Sequence, residues 1–143
     1  PDIAPSIARP LNGIFEVNQS KEGYVQFTNG GSVATAGPMT FRIFKPANFN
    51  LSILETMDIV DATPVDNSAW TITWSPTFGG HYIITSKETT PNIGVGENVK
   101  IGFVITATGP GFSTGNIGAD VYPASGGDFN PGNNTAIRQF VIN

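Results

Sequence analysis

Between Val99 and Thr108 the chain alternates without a break. Ile101, Phe103, Ile105 and Ala107 fall on one side of an extended backbone, and Lys100, Gly102, Val104 and Thr106 on the other. Side chains repeat every second residue along a strand and about every 3.6 residues along a helix, so this run is a strand with one face turned inward. The same period recurs along the chain. Val25 and Phe27 oppose Tyr24, Gln26 and Thr28; Met39, Phe41 and Ile43 alternate with Thr40, Arg42 and Phe44. Trp70, Ile72 and Trp74 alternate with Thr71 and Thr73, and Ile117, Ala119 and Val121 form a penultimate strand before Thr135 to Ile142, whose phase is mixed. Ile14 to Val17 and His81 to Thr85 are shorter runs of the same kind. Leu51, Ile53, Met57 and Ile59 read as strand, with one helical turn at Ile53 to Met57 as the competing reading.

Turn signals separate these runs. The 143 residues include 17 glycines and 11 prolines, and no stretch is both amphipathic at helical spacing and long enough to make a useful helix. Short alternating strands with a break after each predict an all-β fold, an antiparallel Greek-key β-sandwich of eight or nine strands. A chain of this length is expected to form one domain, 1–143. Residues 1–10 carry three prolines, which restricts them to a linker or an edge strand.

Composition removes several function classes. Charged residues make up 13% of the chain, against a usual share of about 25%, and the net charge is −4 with few, scattered Lys and Arg. A polyanion has no basic surface to meet, so nucleic acid is not expected as a partner. Cysteine is absent, which excludes disulfides and thiolate metal sites. No apolar run approaches the roughly 20 residues of a membrane helix, so membrane insertion is not expected. The first residue is Pro1, which reads as the start of a fragment excised from a larger multidomain protein.

The most definite local feature is the corner from Gly126 to Ala136. Pro131 and Gly132 have the residue types of a type II turn across Asn130 to Asn133, with the left-handed position on Gly132. Asp128, Asn130, Asn133 and Asn134 bring hard oxygens together, which makes calcium the candidate cofactor here. Only one of the four is charged and the spacing is not that of an EF-hand. Hydrogen-bonded closure of the corner, by Asx turns, is therefore the expected role. The acidic residues Glu55, Asp58, Asp61 and Asp66 read as solvated loop charge.

Trp70, Trp74 and Tyr82 are candidate glycan contacts, since aromatics on a sheet face can stack on sugar rings. Ile72 lies between the two tryptophans on the same face, so core packing is expected for at least one of them. Tyr24, Tyr82 and Phe44 fall on faces opposite the inferred core and would form an exposed aromatic patch. Catalysis lacks a constellation: His81 is the sole histidine, read as a surface residue at a strand end, and no nucleophile elbow or metal-binding helix is present. An enzyme is not expected.

Three segments carry a family resemblance. Tyr24–Gly31 ends a strand in Thr28-Asn29-Gly30-Gly31, Val95–Phe103 opens a long alternating strand from a glycine turn, and Asp128–Ala136 supplies an Asn-Pro-x-Asn-Asn corner before the last strand. In that order they resemble the repeat domains of bacterial surface proteins, domain of unknown function eleven and its relative CARDB, the cell-adhesion-related domain found in bacteria. The middle of the chain, Asn48 to Asn92, departs from the pattern. The resemblance implies an immunoglobulin-like sandwich serving as a non-catalytic stalk, spacer or adhesion module of an extracellular or cell-surface bacterial protein. Its partners would be neighbouring domains of the same chain. The alternative is a carbohydrate- or protein-binding module using exposed aromatics and Asn/Asp-rich loops on a glycan or cell-surface protein. The lysine–asparagine crosslink of some surface sandwiches is not expected, since Ala8 and Arg9 stand on the first strand where a lysine would be needed.

Overall fold

The computed structural model describes residues 1–143. In chain order its strands are β1 (Ile3–Arg9), β2 (Ile14–Phe15), β3 (Ser20–Asn29), β4 (Thr40–Phe44), β5 (Phe49–Ser52) and β6 (Ile59–Val60). There follow β7 (Thr63–Pro64), β8 (Trp70–Ser75), β9 (His81–Ser86), β10 (Asn98–Ala107), β11 (Ser113–Val121) and β12 (Thr135–Ile142). Nine of these have four residues or more, in line with the expected eight or nine. One sheet runs β1-β3-β10-β5 and the other β2-β12-β11-β4-β9-β8, while β6 and β7 form a separate small hairpin. Every pairing is antiparallel except β2 with β12. No helix is long and apolar enough to cross a membrane.

The alternation read from the sequence builds the core. Ile101, Phe103, Ile105 and Ala107 of β10 are wholly buried, as are Val25 and Phe27 of β3 on one sheet and Phe41, Ile43 and Ile117 on the other. Phe27 and Phe41 stack across the sheets with centroids 4.1 Å apart, and Phe41 lies 5.0 Å from the Trp70 ring. Phe15, Phe49 and Phe140 close the other end, Phe49 edge to face with each of the others and Phe15 tilted against Phe140. Aromatic pairs in these geometries add about 0.5–1.5 kcal/mol each beyond the area they bury.

Within the first ten residues, Ile3–Arg9 form an edge strand. β1 pairs with β3, and the chain then crosses to the second sheet, where β2 lies parallel to the end of β12. Arg138 spans the crossing: its guanidinium donates to Pro10 O and to Leu11 O, the latter at 2.7 Å. Burial holds this guanidinium below its ordinary pKa.

The segment from Ile53 to Ala69 corrects the reading of Leu51 to Ile59 as one strand. β5 stops at Ser52, Ile53 enters the core, a turn closes from Met57 N to Leu54 O at 3.2 Å, and the small hairpin follows. β5 covers only Val104 to Ala107 of its neighbour, which leaves the edge of β10 bare farther up. The segment fills that gap with side chains. Asn67 accepts from Gly102 N at 2.7 Å and donates to Gly102 O at 2.9 Å, and Asp66 accepts from Lys100 N at 2.8 Å. Met57, Val60 and Val65 then cover the outer face of the sheet.

Two further expectations change as a result. Tyr24 is buried beneath Val60 and Val65, so the exposed patch of Tyr24, Tyr82 and Phe44 does not exist as such. Gly102 points outward as read, but it is covered: a Cβ there would lie 2.6 Å from Met57 Sδ. His81 is also buried, at 3% exposure, because Phe44 stacks on its ring and the Thr77–Gly80 turn folds over it. Its Nδ1 lies 2.9 Å from Thr77 O.

Candidate functional site

The three segments that carried the family resemblance meet at one end of the sandwich, around the place where the chain comes in. Asn29 ends β3 and is completely buried. Its Oδ1 accepts from Asp2 N and Gly31 N, each at 3.0 Å, while Nδ2 donates to Val33 O at 2.9 Å and Ile93 O at 3.0 Å. A primary amide can make about four such bonds, and all are made. The glycine beside it is a packing requirement, since a Cβ at Gly31 would lie 2.8 Å from Asp2 N. The turn before β10 docks on the same residue through Gly96 N to Asn29 O at 2.9 Å and Asn29 N to Glu97 O at 3.0 Å. Glu97 also closes its own turn, Oε2 accepting from Gly94 N at 3.0 Å.

The Gly126–Ala136 corner completes this pole. Asp128 is wholly buried, with Oδ2 accepting from Ile3 N at 3.0 Å and Oδ1 from Asn130 N at 2.8 Å. The Asn134 amide is surrounded by acceptors, which sets its orientation: nitrogen faces Asn130 O at 2.9 Å and both Asp128 Oδ2 and Ile3 O at 3.2 Å. Asn29 and Asp128 thus grip consecutive amides, Asp2 and Ile3, from opposite sides. Asn130 and Asn133 are exposed.

The corner differs from the expected type II turn. Residues Pro131–Asn133 wind as one 3-10 turn, with Pro131 at its start and Asn130 Oδ1 capping Gly132 N at 3.2 Å. Gly132 has no positive φ; the left-handed positions are Ala124, Gly126 and Gly127. The cap supplies the reason, since an acceptor two residues back favours continued winding over reversal.

The candidate glycan residues separate. Trp70 is 1% exposed and belongs to the core, out of reach of any ligand, whereas Trp74 is 45% exposed. The Trp74 ring lies over Gly80, whose φ is +99° and whose missing Cβ leaves it room: a Cβ would sit 2.4 Å from the ring. Tyr82 meets Trp74 edge to face at 5.0 Å and donates its hydroxyl to Leu51 O at 3.1 Å. Lys45 and Asn50 line the same shallow cleft. The acidic residues of the Ile53–Ala69 segment do not form a cluster able to hold a metal ion.

Large apolar side chains stand bare at both ends of the sandwich. Val33, Val95 and Phe129 are exposed around the Asn29–Asp128 pole. At the opposite pole, where β12 ends, Phe112 is 98% exposed and held at φ +65°, with Val17 also exposed. Sequence reasoning gave no role to Asn29 or Asn67, to Ser125, whose Oγ donates to Thr40 O at 3.1 Å, or to Thr35, whose Oγ1 accepts from Ile93 N at 2.7 Å. Of these only Asn29 carried a signal, as the last residue of an alternating run followed by two glycines.

No protein-family model matches the chain, and no curated protein sequence matches it. Solved structures do. The CARDB domain of the PF1109 protein from Pyrococcus furiosus, in complex with di-metal ions, superposes with a TM-score of 0.58 at 17% identity, covering 100% of this chain and 89% of that one. A cohesin module from a Clostridium perfringens family 33 glycoside hydrolase gives 0.60 at 12% identity over 99% and 97%. A two-domain segment of the major pilin SpaD from Corynebacterium diphtheriae gives 0.57 at 12% identity over 97% of this chain and 50% of that one. The chain has a CARDB-like immunoglobulin fold.

Proposed function

We propose that this sandwich is a non-catalytic structural module, a stalk or spacer of an extracellular or cell-surface bacterial protein, whose task is to hold its two ends apart under load. The observation that carries this is the path of the chain. β1 starts beside Asn134 and Asp128, and β12 runs in the same direction to finish at the far pole, where Ile142 pairs with Phe15. The eight residues of β12 span about 26 Å from one pole to the other. A chain continuing on both sides would extend from opposite ends, and the bare apolar residues at each pole would face the neighbouring domains.

The Asn29–Asp128 grip supports the mechanical side of this reading. Tension applied along the chain pulls β1 lengthwise against β3, so its bonds share the load while Asp2 and Ile3 are also held by buried side chains. The grip also favours a clasp over a calcium site: both Asp128 oxygens accept from N–H donors, which a cation would have to displace. The fold likeness to pilin and cohesin modules supports placement in a surface or secreted assembly.

Three copies fused end to end should test the spacing role by small-angle scattering. The expected result is a maximum dimension that grows by a constant increment per copy; a trimer that stays compact would overturn the proposal. The binding-module reading has Trp74 in its favour, beside Tyr82, Asn50 and Lys45. Polysaccharides that quench or shift Trp74 fluorescence, with Trp70 unaffected, would move the function to that class.

A further inference from the structure

We propose that β8 is a self-docking edge, through which two copies of this chain pair antiparallel about a twofold axis at Ile72. The two sheets have four outer strands, β1, β5, β2 and β8. Exposed edges invite pairing with other chains, and proteins blunt them with proline, charge, bulges or short length. Three are blunted here: β1 carries Pro5 and a break in register between Ile7 and Arg9, β5 has four residues and β2 has two. β8 is six residues long and pairs with β9 in unbroken register. It contains no proline, and no charged residue occurs anywhere from Asn67 to Gly80.

The hydrogen-bond phase of this edge selects the register. Lys45 N bonds Gly80 O and Ser86 N bonds Met39 O, so the even-numbered residues of β9 turn their polar groups towards β4. Its odd-numbered residues therefore turn theirs towards β8, where their partners are Thr71, Thr73 and Ser75. The amides and carbonyls of Ile72 and Trp74 and the carbonyl of Trp70 are left facing outward, while the Trp70 amide already donates to Asn67 O. In an antiparallel pair, residues that exchange both bonds face each other at alternate positions. With the axis at Ile72, Trp70 meets Trp74 of the second copy and Ile72 meets its own counterpart, so both free amides on the edge, those of Ile72 and Trp74, find carbonyls in the second copy, and only Trp74 O is left to water.

The side chains agree with that register. Trp70-Thr71-Ile72-Thr73-Trp74 reads identically in both directions, so the twofold sets Thr71 opposite Thr73 of the other copy on the exposed face. Threonine pairs across strands are favourable. The exposed Trp74 ring would lie at the rim of the other copy's sheet and lose solvent. Each copy carries a net charge of −4, yet the edge itself is neutral, so pairing brings no like charges face to face. One strand pair buries less than the roughly 1,200 Å² of a stable interface, which makes the association concentration-dependent.

The test is sedimentation equilibrium of the wild type from low micromolar to near-millimolar concentration, beside two variants altered only on the exposed face. The wild-type mass should rise from 15.1 kDa towards a value about twice that. Thr71→Lys/Thr73→Lys places lysine against lysine twice and should weaken association by about tenfold or more. Thr71→Lys/Thr73→Glu places opposite charges together in the same register and should restore it. A wild type that stays at monomer mass throughout overturns the proposal. So does a dimer indifferent to both variants, or a monomer whose β8 edge instead takes up an unrelated extended peptide.

Discussion

Replacing Asp128 by alanine is the sharpest single test of how the first pole is held. The carboxylate satisfies three N–H groups: Ile3 N at 3.0 Å, Asn130 N at 2.8 Å and the Asn134 amide at 3.2 Å. They do not lose equally. Asn130 is exposed and can turn to water, and the Asn134 amide keeps Asn130 O, Ile3 O and Asn133 Oδ1. Ile3 N is wholly buried and is left with nothing. A buried donor without a partner costs about 1–3 kcal/mol, and a hydrogen bond to a charged acceptor about 1.5–3 kcal/mol. Taking the full loss at Ile3 and a partial loss at the other two gives about 3–5 kcal/mol. For a chain of this size that corresponds to a fall in Tm of about 10–20 °C. Calorimetry and urea unfolding of Asp128→Ala, with Asn130→Ala as the exposed control costing about 1 kcal/mol or less, measure it. A stability within about 1 kcal/mol of wild type would refute the clasp, since the buried Ile3 amide would then have found another acceptor.

Asn67→Ala should cost about 2–4 kcal/mol by stranding the Gly102 amide and carbonyl, and hydrogen exchange should show the Gly102 amide losing protection. Gly102→Ala should cost about 1–3 kcal/mol in chemical unfolding, because the new methyl displaces Met57, Val60 and Val65. Replacing Pro131 and Gly132 together by alanine should cost only about 1 kcal/mol or less, since neither residue holds a left-handed φ. A loss of several kcal/mol there would restore the type II turn. Calcium in excess should leave Tm unchanged relative to EDTA, and a rise of several degrees would instead place a bound cation at the corner.

Strand existence was legible because one-sided burial writes a two-residue period into the sequence. The inward set of β10 follows residue by residue from the alternation, and Phe41, Ile43, Val25 and Phe27 likewise. The covering of the outer face was not legible. Tyr24 and Gly102 lie at outward positions and are buried only because Met57, Val60 and Val65, more than thirty residues from either, fold across them. Nothing local to Tyr24 encodes that. His81 fails in the same way, through the Thr77–Gly80 turn.

The corner shows a different limit. Its residue types identified a turn that closes by Asx hydrogen bonds, but Asn-Pro-Gly-Asn suits both a type II reversal and a capped 3-10 turn. Which one forms depends on where the Asn130 side chain bonds. That Asn29 and Asp128 converge on Asp2 and Ile3, with Glu97 docked behind Asn29, is a property of topology. The sequence offered only their order along the chain.

The central claim is that the sandwich keeps its ends apart under tension, with the incoming strand fastened at Asn29 and Asp128. Single-molecule extension through residues 1 and 143 tests it most directly, because forced unfolding reports the barrier itself. One cooperative rupture at high force is expected, with Asp128→Ala lowering that force and leaving the length gained on unfolding unchanged. Stepwise peeling of β1 at low force, or a rupture force indifferent to the loss of Asp128, would contradict it.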